Sequence, residues 1–331
     1  MALRPFKMPD DISTLLTLLP PCFQYPENPD WNFAEDEVED MLDTLKTIRR
    51  LWPLLATVML FAPKVRDVMQ GYIWEEDGQA VGVSNTGRQG MSDTWFIGNV
   101  GVLPAHRRKG IARKVVEACV ALAREREAKT VVLDVIAGNL PAYVLYESLG
   151  FETYGGESEL YYEKDSVPPD CPIPDGFTVS PLDRFDWRTR YNFANRITPS
   201  TFKKYNPVTE SRFRQPRALY YIGWLIRTLT GVKSESFVIR SNSDRLVVGT
   251  MSYSARMKKG GVNSITVSLD PICGHLAPYA VAHMMRTVLQ LSPGHRINME
   301  CPAWQPAILD TALAAGFATK FEFKKMGLML A

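Results

Sequence analysis

Apolar residues recur at helical spacing after Gly110. Ile111, Val115, Val116, Cys119, Val120 and Ala123 share one stripe, which predicts an amphipathic helix packed on a core. Arg124, Glu125, Arg126 and Glu127 then read as its solvated end. Elsewhere the pattern shortens to strand-like runs. Tyr72 to Gly82 reads as two strands around Asp77-Gly78, a residue pair suited to a tight hairpin. Ile97 to Leu103 reads as a strand stopped by Pro104, and Val131–Ile136 as a buried strand. Leu3–Phe6 predicts an opening strand, Ile12–Leu18 a helix, and a second helical region follows before the hairpin. A helix after Ile136 and a final strand pair around Tyr154-Gly155-Gly156 complete the unit.

The same order then returns. Phe237 to Gly249 has the shape of the first hairpin, and Val248-Gly249 lies 167 positions after Val81-Gly82. Ile265 to Leu269 ends near Pro271, again 167 positions after its counterpart, and Gly150-Phe151 recurs 166 positions later as Gly316-Phe317. Several matches in order at one offset predict a tandem duplication of one α/β unit. Between the copies, residues 165–176 (DSVPPDCPIPDG) hold four prolines, which fit an extended linker and not a helix or sheet interior. Two domains are therefore expected, 1–165 and 166–331.

Composition agrees with two cores. The chain has 331 residues, 46% hydrophobic and 22% charged, and roughly 150 residues is an ordinary domain. A net charge of +2 argues for neither a nucleic-acid nor an anionic-membrane partner. The five cysteines are scattered without a CxxC pair, and the four histidines lack metal-ligand spacing. No disulfide framework and no metal are expected. The apolar stretch Leu15–Leu19 stops at Pro20-Pro21, so the expectation is a soluble, cytoplasmic chain, monomer or homodimer.

Two segments have local charge. Residues 27–43 hold eight acids and no Lys or Arg. They read either as an attractor for a cationic amine or as the polar face of a helix carrying Val38, Met41, Leu42, Leu45 and Ile48. Residues 184–233 hold eleven Lys and Arg against Asp186 and Glu210, with interleaved Tyr and Phe. Here a solvated face, a site for an anionic substrate or CoA phosphate, and a nucleic-acid surface all fit.

The segment Val100 to Ala112 (VGVLPAHRRKGIA) joins strand to helix, and its core is Arg107-x-x-Gly110-x-Ala112. Gly110 permits a tight turn and close ligand approach. Free N–H groups at the helix start form an anion site, to which Arg107, Arg108, Lys109 and Arg113 add charge. A diphosphate suits it. GxGxxG is absent, which disfavours a dinucleotide site.

This motif resembles the acetyl-CoA pyrophosphate loop of the GCN5-related N-acetyltransferases (GNAT superfamily). Leu133-Asp-Val-Ile-Ala-Gly-Asn139, with Ala142, Leu145-Tyr146 and Leu149-Gly-Phe151, resembles that family's second signature. The resemblance implies two tandem GNAT folds, each a mixed, mostly antiparallel sheet flanked by helices, and transfer of acetyl from acetyl-CoA to a primary amine. It implies that Val100, Gly101 and Val102 pair with the pantetheine arm. Amides at Arg108, Lys109, Gly110, Ile111, Ala112 and Arg113 would hold the pyrophosphate, with Arg107 opening the loop, and Asn139 would bond the pantetheine. Tyr146 would protonate the leaving thiolate, and Asp134 stands where some relatives carry a basic glutamate. His106 reads as a surface loop residue. In the second copy Arg107, Gly110 and Ala112 become Gly274, Ala277 and Tyr279, Pro278 intrudes, and Asn139 and Tyr146 become Gln305 and Ala312. The second domain is thus expected to be degenerate and non-catalytic, a layout similar to the mycothiol synthases. The acceptor would be a small-molecule or peptide amine. The rival expectation is a non-catalytic acyl-CoA sensor or scaffold.

Overall fold

A computed structural model describes every residue except 1, 26, 33–34, 62, 165, 215–216, 258–261 and 331. The side chains of Glu35, Asp36, Glu37 and Asp40, part of the acidic run, also lie outside the described set. Two compact units are present. The first comprises Met1–Tyr154, Lys204–Pro207 and Lys325–Ala331, and the second Gly155–Lys203 and Val208–Lys324.

The first unit runs β1 (Ala2–Pro5), α1 (Ile12–Cys22), α2 (Glu35–Phe61), β2 (Gln70–Glu76), β3 (Gln79–Arg88), β4 (Thr94–Val102), α3 (Ile111–Glu125), β5 (Thr130–Ile136) and α4 (Leu140–Ser148), and enters β6 (Glu152–Tyr162). Its strands lie in the order β1-β2-β3-β4-β5. Neighbours are antiparallel except β4 and β5, which are parallel. The hairpin forms as its sequence predicts. Asp77 and Gly78 take φ of +50° and +78°, as a type I′ turn requires. The stripe on α3 is buried at Ile111, Val115, Val116, Cys119 and Ala123. Its Val116, Cys119 and Ala123 pack with Trp95, Ile97, Val131, Leu133, Tyr146 and Phe151, and its Ile111 and Val115 with Trp74, Val81 and Val102. The chain's own end completes this core. Met326 is fully buried in it, and the Leu330 N–H donates to the Lys129 carbonyl at 2.9 Å.

The second unit repeats the pattern with β7 (Phe177–Pro181), α5 (Trp187–Ile197), α6 (Ser200–Tyr205), α7 (Glu210–Phe213), α8 (Arg217–Thr230), β8 (Val232–Ser241), β9 (Val247–Arg256), β10 (Asn263–Leu269), α9 (Ala277–Leu291), β11 (Ile297–Pro302), α10 (Pro306–Ala314) and β12 (Ala318–Met329). From β6 its strands run β6-β11-β10-β9-β8-β7, with β10 and β11 parallel. Residues 166–174 form no helix or strand, but Cys171 and Ile173 pack on this unit's core.

Backbone hydrogen bonds repeat at the sequence offsets. Leu103 N–H donates to the Val81 carbonyl at 2.9 Å and Asp270 N–H to that of Val248 at 2.8 Å. Phe151 N–H to Tyr146 and Phe317 N–H to Ala312 are both 3.1 Å. The duplication is thus visible bond by bond. The expected strand pair around Tyr154-Gly155-Gly156 is corrected: β6 passes straight through. Gly155 serves packing there. A Cβ would stand 2.2 Å from the Phe202 ring, closer than atoms can approach.

Candidate functional site

In the first unit β4 and β5 pair only at their beginnings, Thr94–Phe96 with Thr130–Val132. Beyond Phe96 no β5 partner follows, so the ends of the two strands diverge. β4 is also irregular. Val83 faces Gly101 and Asn85 faces Gly98, so Asn99 and Val100 together oppose Ser84. Asn99 takes φ +49°, a conformation that asparagine tolerates better than most residues. Such a bulge turns backbone groups out of the ladder. It falls at Asn99–Val100, at the start of the Val100–Val102 stretch where the pantetheine arm is expected.

The loop after β4 winds through two left-handed residues, Arg108 at φ +64° and Gly110 at +78°. A Cβ on Gly110 would meet nothing within 4 Å. Among the described residues, none of the six amides from Arg108 to Arg113 donates to a backbone carbonyl, and no side chain caps α3. Six such N–H groups along the loop and first turn of α3, with the Lys109 and Arg108 side chains exposed beside them, are suited to an anion such as a diphosphate. Arg113 lies in this turn, donating to the Ser148 hydroxyl at 2.6 Å.

Arg107 does different work. Its guanidinium donates to the carbonyls of Val102 (3.2 Å), Cys22 (3.2 Å) and Gln24 (3.0 Å) and lies 5.0 Å from the Tyr25 ring centre. It ties the end of α1 to the loop. His106 is more than a surface residue, because its Nδ1 stands 2.7 Å from Glu76 Oε2. That hydrogen bond holds the Glu76 carboxyl below its ordinary pKa.

Tyr146 is buried on α4 and packs edge-on against Phe151 with ring centres 6.1 Å apart. Val100 packs on the same cluster. The Tyr146 hydroxyl makes no hydrogen bond among the described residues. Burial, with Tyr25 nearby, pushes its pKa far above the ordinary value for a phenol. Tyr25 is raised too, again by burial. Tyr25 and Trp31 contact edge-on at 5.5 Å, and Trp31 lies against Gly138. Neither was singled out in the sequence, where no pattern marks them. Asn139 caps α4, its Oδ1 accepting from Ala142 N–H at 3.2 Å. Asp134 receives Lys325 Nζ on both oxygens, at 3.3 and 3.2 Å.

The second unit differs at each of these places. β10 pairs with β9 in unbroken register from Ser264 to Leu269, so the bulge is gone. The loop has become a 3-10 turn, Pro271–Leu276, abutting α9. Ala312 is buried where Tyr146 stands in the first copy. Gln305, 5% exposed, fills the place of Asn139. It accepts from Leu269 N–H at 3.2 Å and donates to the Leu269 carbonyl at 2.9 Å. Leu269 is the counterpart of Val102, so the repeat's own side chain occupies the backbone edge that would serve a ligand.

Residues 17–151 match the model of the acetyltransferase (GNAT) family. A streptothricin acetyltransferase of Streptomyces lavendulae is 34% identical over 85 residues, covering 26% of this chain and 45% of that relative's length. In structure the chain resembles a tandem GNAT protein from the clavulanic acid biosynthesis pathway (TM-score 0.64, 14% identity, 99% of this chain and 98% of the other). It also resembles a GCN5-related N-acetyltransferase from Sphaerobacter thermophilus (TM-score 0.62, 15% identity, 99% and 95%). The first unit carries a domain of the GNAT acetyltransferase family. The chain as a whole is a tandem GNAT-fold protein. Among the described residues no helix is long and apolar enough to cross a membrane.

Proposed function

We propose that the first unit is an acetyl-CoA-dependent N-acetyltransferase acting on a primary amine, and that the second is a non-catalytic copy. The observation that carries this reading is the run of six undonated amides from Arg108 to Arg113, lost in the second copy together with the bulge and the tyrosine. The pyrophosphate would rest on those amides and the pantetheine would pair along Val100–Val102. The amine attacks the thioester carbonyl, and a backbone N–H freed by the bulge would receive the oxyanion. Collapse expels the CoA thiolate, which takes the Tyr146 proton. The raised pKa keeps that phenol protonated throughout the physiological range. Asp134 would collect the amine proton directly or through water, working against the ammonium of Lys325.

Replacing Tyr146 with Phe tests the assignment, since it keeps the ring and removes only the hydroxyl. CoA affinity should hold while kcat falls about 10²- to 10⁴-fold. Near-full turnover with chemistry rate-limiting would reject Tyr146 as the acid. The ion pair on Asp134 favours a second reading, a non-catalytic acyl-CoA sensor in which Asp134 only anchors Lys325. Asp134→Asn decides between them: a base shifts the pH dependence of kcat, whereas an anchor changes stability alone. CoA binding without thiol release across an amine panel would favour the sensor.

A further inference from the structure

The second unit contains a hollow of about 1380 Å³ that the reaction above does not use. The end of β7, helices α5, α7 and α8, and the start of β8 form its walls. Six cations line it, namely Arg184, Arg190, Arg212, Arg214, Arg227 and Lys233, against the acids Asp183 and Glu235. Glu235 is already paired with Lys233 at 3.5 Å, and Asp183 accepts the Phe185 N–H at 2.7 Å. Six cations less two acids leave a net charge of +4 on the lining. That much like charge in one concavity is self-repulsive and attracts anions.

Aromatic rings hold three of these cations in place. Arg214 lies 5.9 Å from the Trp187 ring centre, and Arg184 and Arg227 lie 5.4 and 5.9 Å from that of Tyr220. A guanidinium stacked by its face keeps its N–H edge for an anion. The guanidinium groups of Arg214 and Arg227 form no salt bridge and donate no hydrogen bond among the described residues. Two further lining rings, Phe185 and Trp224, are 42% and 49% exposed. An adjoining hollow of about 450 Å³ shares Arg190, Arg212 and Phe213, and is lined by the hydroxyls of Thr250, Ser252, Thr266 and Ser268. The larger hollow exceeds the usual ~300–1,000 Å³ of a small-molecule site. An inorganic ion would leave most of it, and its exposed rings, unused.

We propose that this groove binds a nucleoside phosphate, with its phosphates on the edges of Arg214 and Arg227 and its base against Trp224. Free nucleotides have this chemistry, and so does the nucleotide end of CoA.

Calorimetry with ADP, in saturating acetyl-CoA to occupy the first unit's loop, tests the proposal. ADP should bind at least about tenfold tighter than adenosine or inorganic phosphate, and more weakly as salt rises. Arg214→Ala with Arg227→Ala should weaken it about tenfold or more. Trp224→Ala should weaken it about 5- to 100-fold, the value of one stacked base. Fold integrity of the second unit is read independently, from hydrogen-exchange protection of β9 and β10, which should match that of the unsubstituted chain. If acetyl-CoA fills the groove itself, it appears as a second molecule per chain removed by the same substitutions, which identifies CoA as the source. The proposal fails if ADP binds no tighter than inorganic phosphate while acetyl-CoA binds only once per chain, or if the substitutions leave the affinity of ADP and of any second acetyl-CoA unchanged in folded protein. It also fails if a short single-stranded oligonucleotide binds tenfold tighter than ADP, which would assign the groove to a nucleic-acid strand.

Discussion

Replacing Gln305 with Ala should loosen the second unit at one defined place. Gln305 is 5% exposed and satisfies both backbone groups of Leu269, at 3.2 and 2.9 Å. Each bond contributes about 1 kcal/mol net, and a buried backbone group left without a partner costs about 1–3 kcal/mol. Water can relieve part of that cost because β10 and β11 have separated by this point. A loss of about 2–4 kcal/mol is expected. Asn139→Ala in the first unit removes only a helix cap, worth about 0.5–2 kcal/mol. Urea denaturation measures the difference, and hydrogen exchange of a peptide containing Leu269 localises it. The amide should exchange faster in Gln305→Ala while β9 remains protected. Gln305→Asn should behave like the alanine variant, since one methylene less cannot span both groups. An unchanged urea midpoint with unchanged Leu269 exchange would refute the claim that Gln305 closes the repeat.

Gly110→Val places a side chain where φ is +78°. Such strain costs about 1–3 kcal/mol, and acetyl-CoA should no longer protect residues 106–114 from exchange, whereas residues 271–279 should show no protection in either protein. The buried thiols of Cys22, Cys119 and Cys301 are each pushed by burial from the ordinary 9.0 to about 12. Their folded pKa values are raised, so their contribution is complete below pH 9 and falls as pH climbs from 9 towards 12. The loss is on the order of 1 kcal/mol per thiol at pH 10. Urea midpoints from pH 8 to 10.5 should drop, and drop less in Cys119→Ala.

The sequence revealed the scaffold better than the site because the two rest on different physics. The α3 stripe, the Asp77-Gly78 turn and the proline-stopped strand are local patterns, and burial rewards each wherever its neighbours lie. The repeat offset is equally legible, since backbone bonds such as Leu103 to Val81 and Asp270 to Val248 recur with it. The loop was readable because amides at a helix start need only a glycine and a missing cap. Side-chain roles were not readable, because they depend on partners far along the chain. Arg107 looks like a phosphate ligand until it meets the carbonyls of Cys22 and Gln24. Asp134 looks like a free base until Lys325, 191 residues later, reaches it. Tyr25 and Trp31 sit in an irregular segment where no periodicity marks them.

On the proposed reading of the second unit as a non-catalytic copy, Gln305 shows why losing a site required more than losing its ligands. Deleting the loop charges and the tyrosine would by itself leave the Leu269 N–H and carbonyl at a divergent strand end with no partner in the fold. Such groups are costly when buried, and the longer side chain at the Asn139 position meets both at once. In the second unit the Gln305 amide therefore closes this strand end. The proposed cationic groove lies on other elements of the same unit and is untouched by that closure.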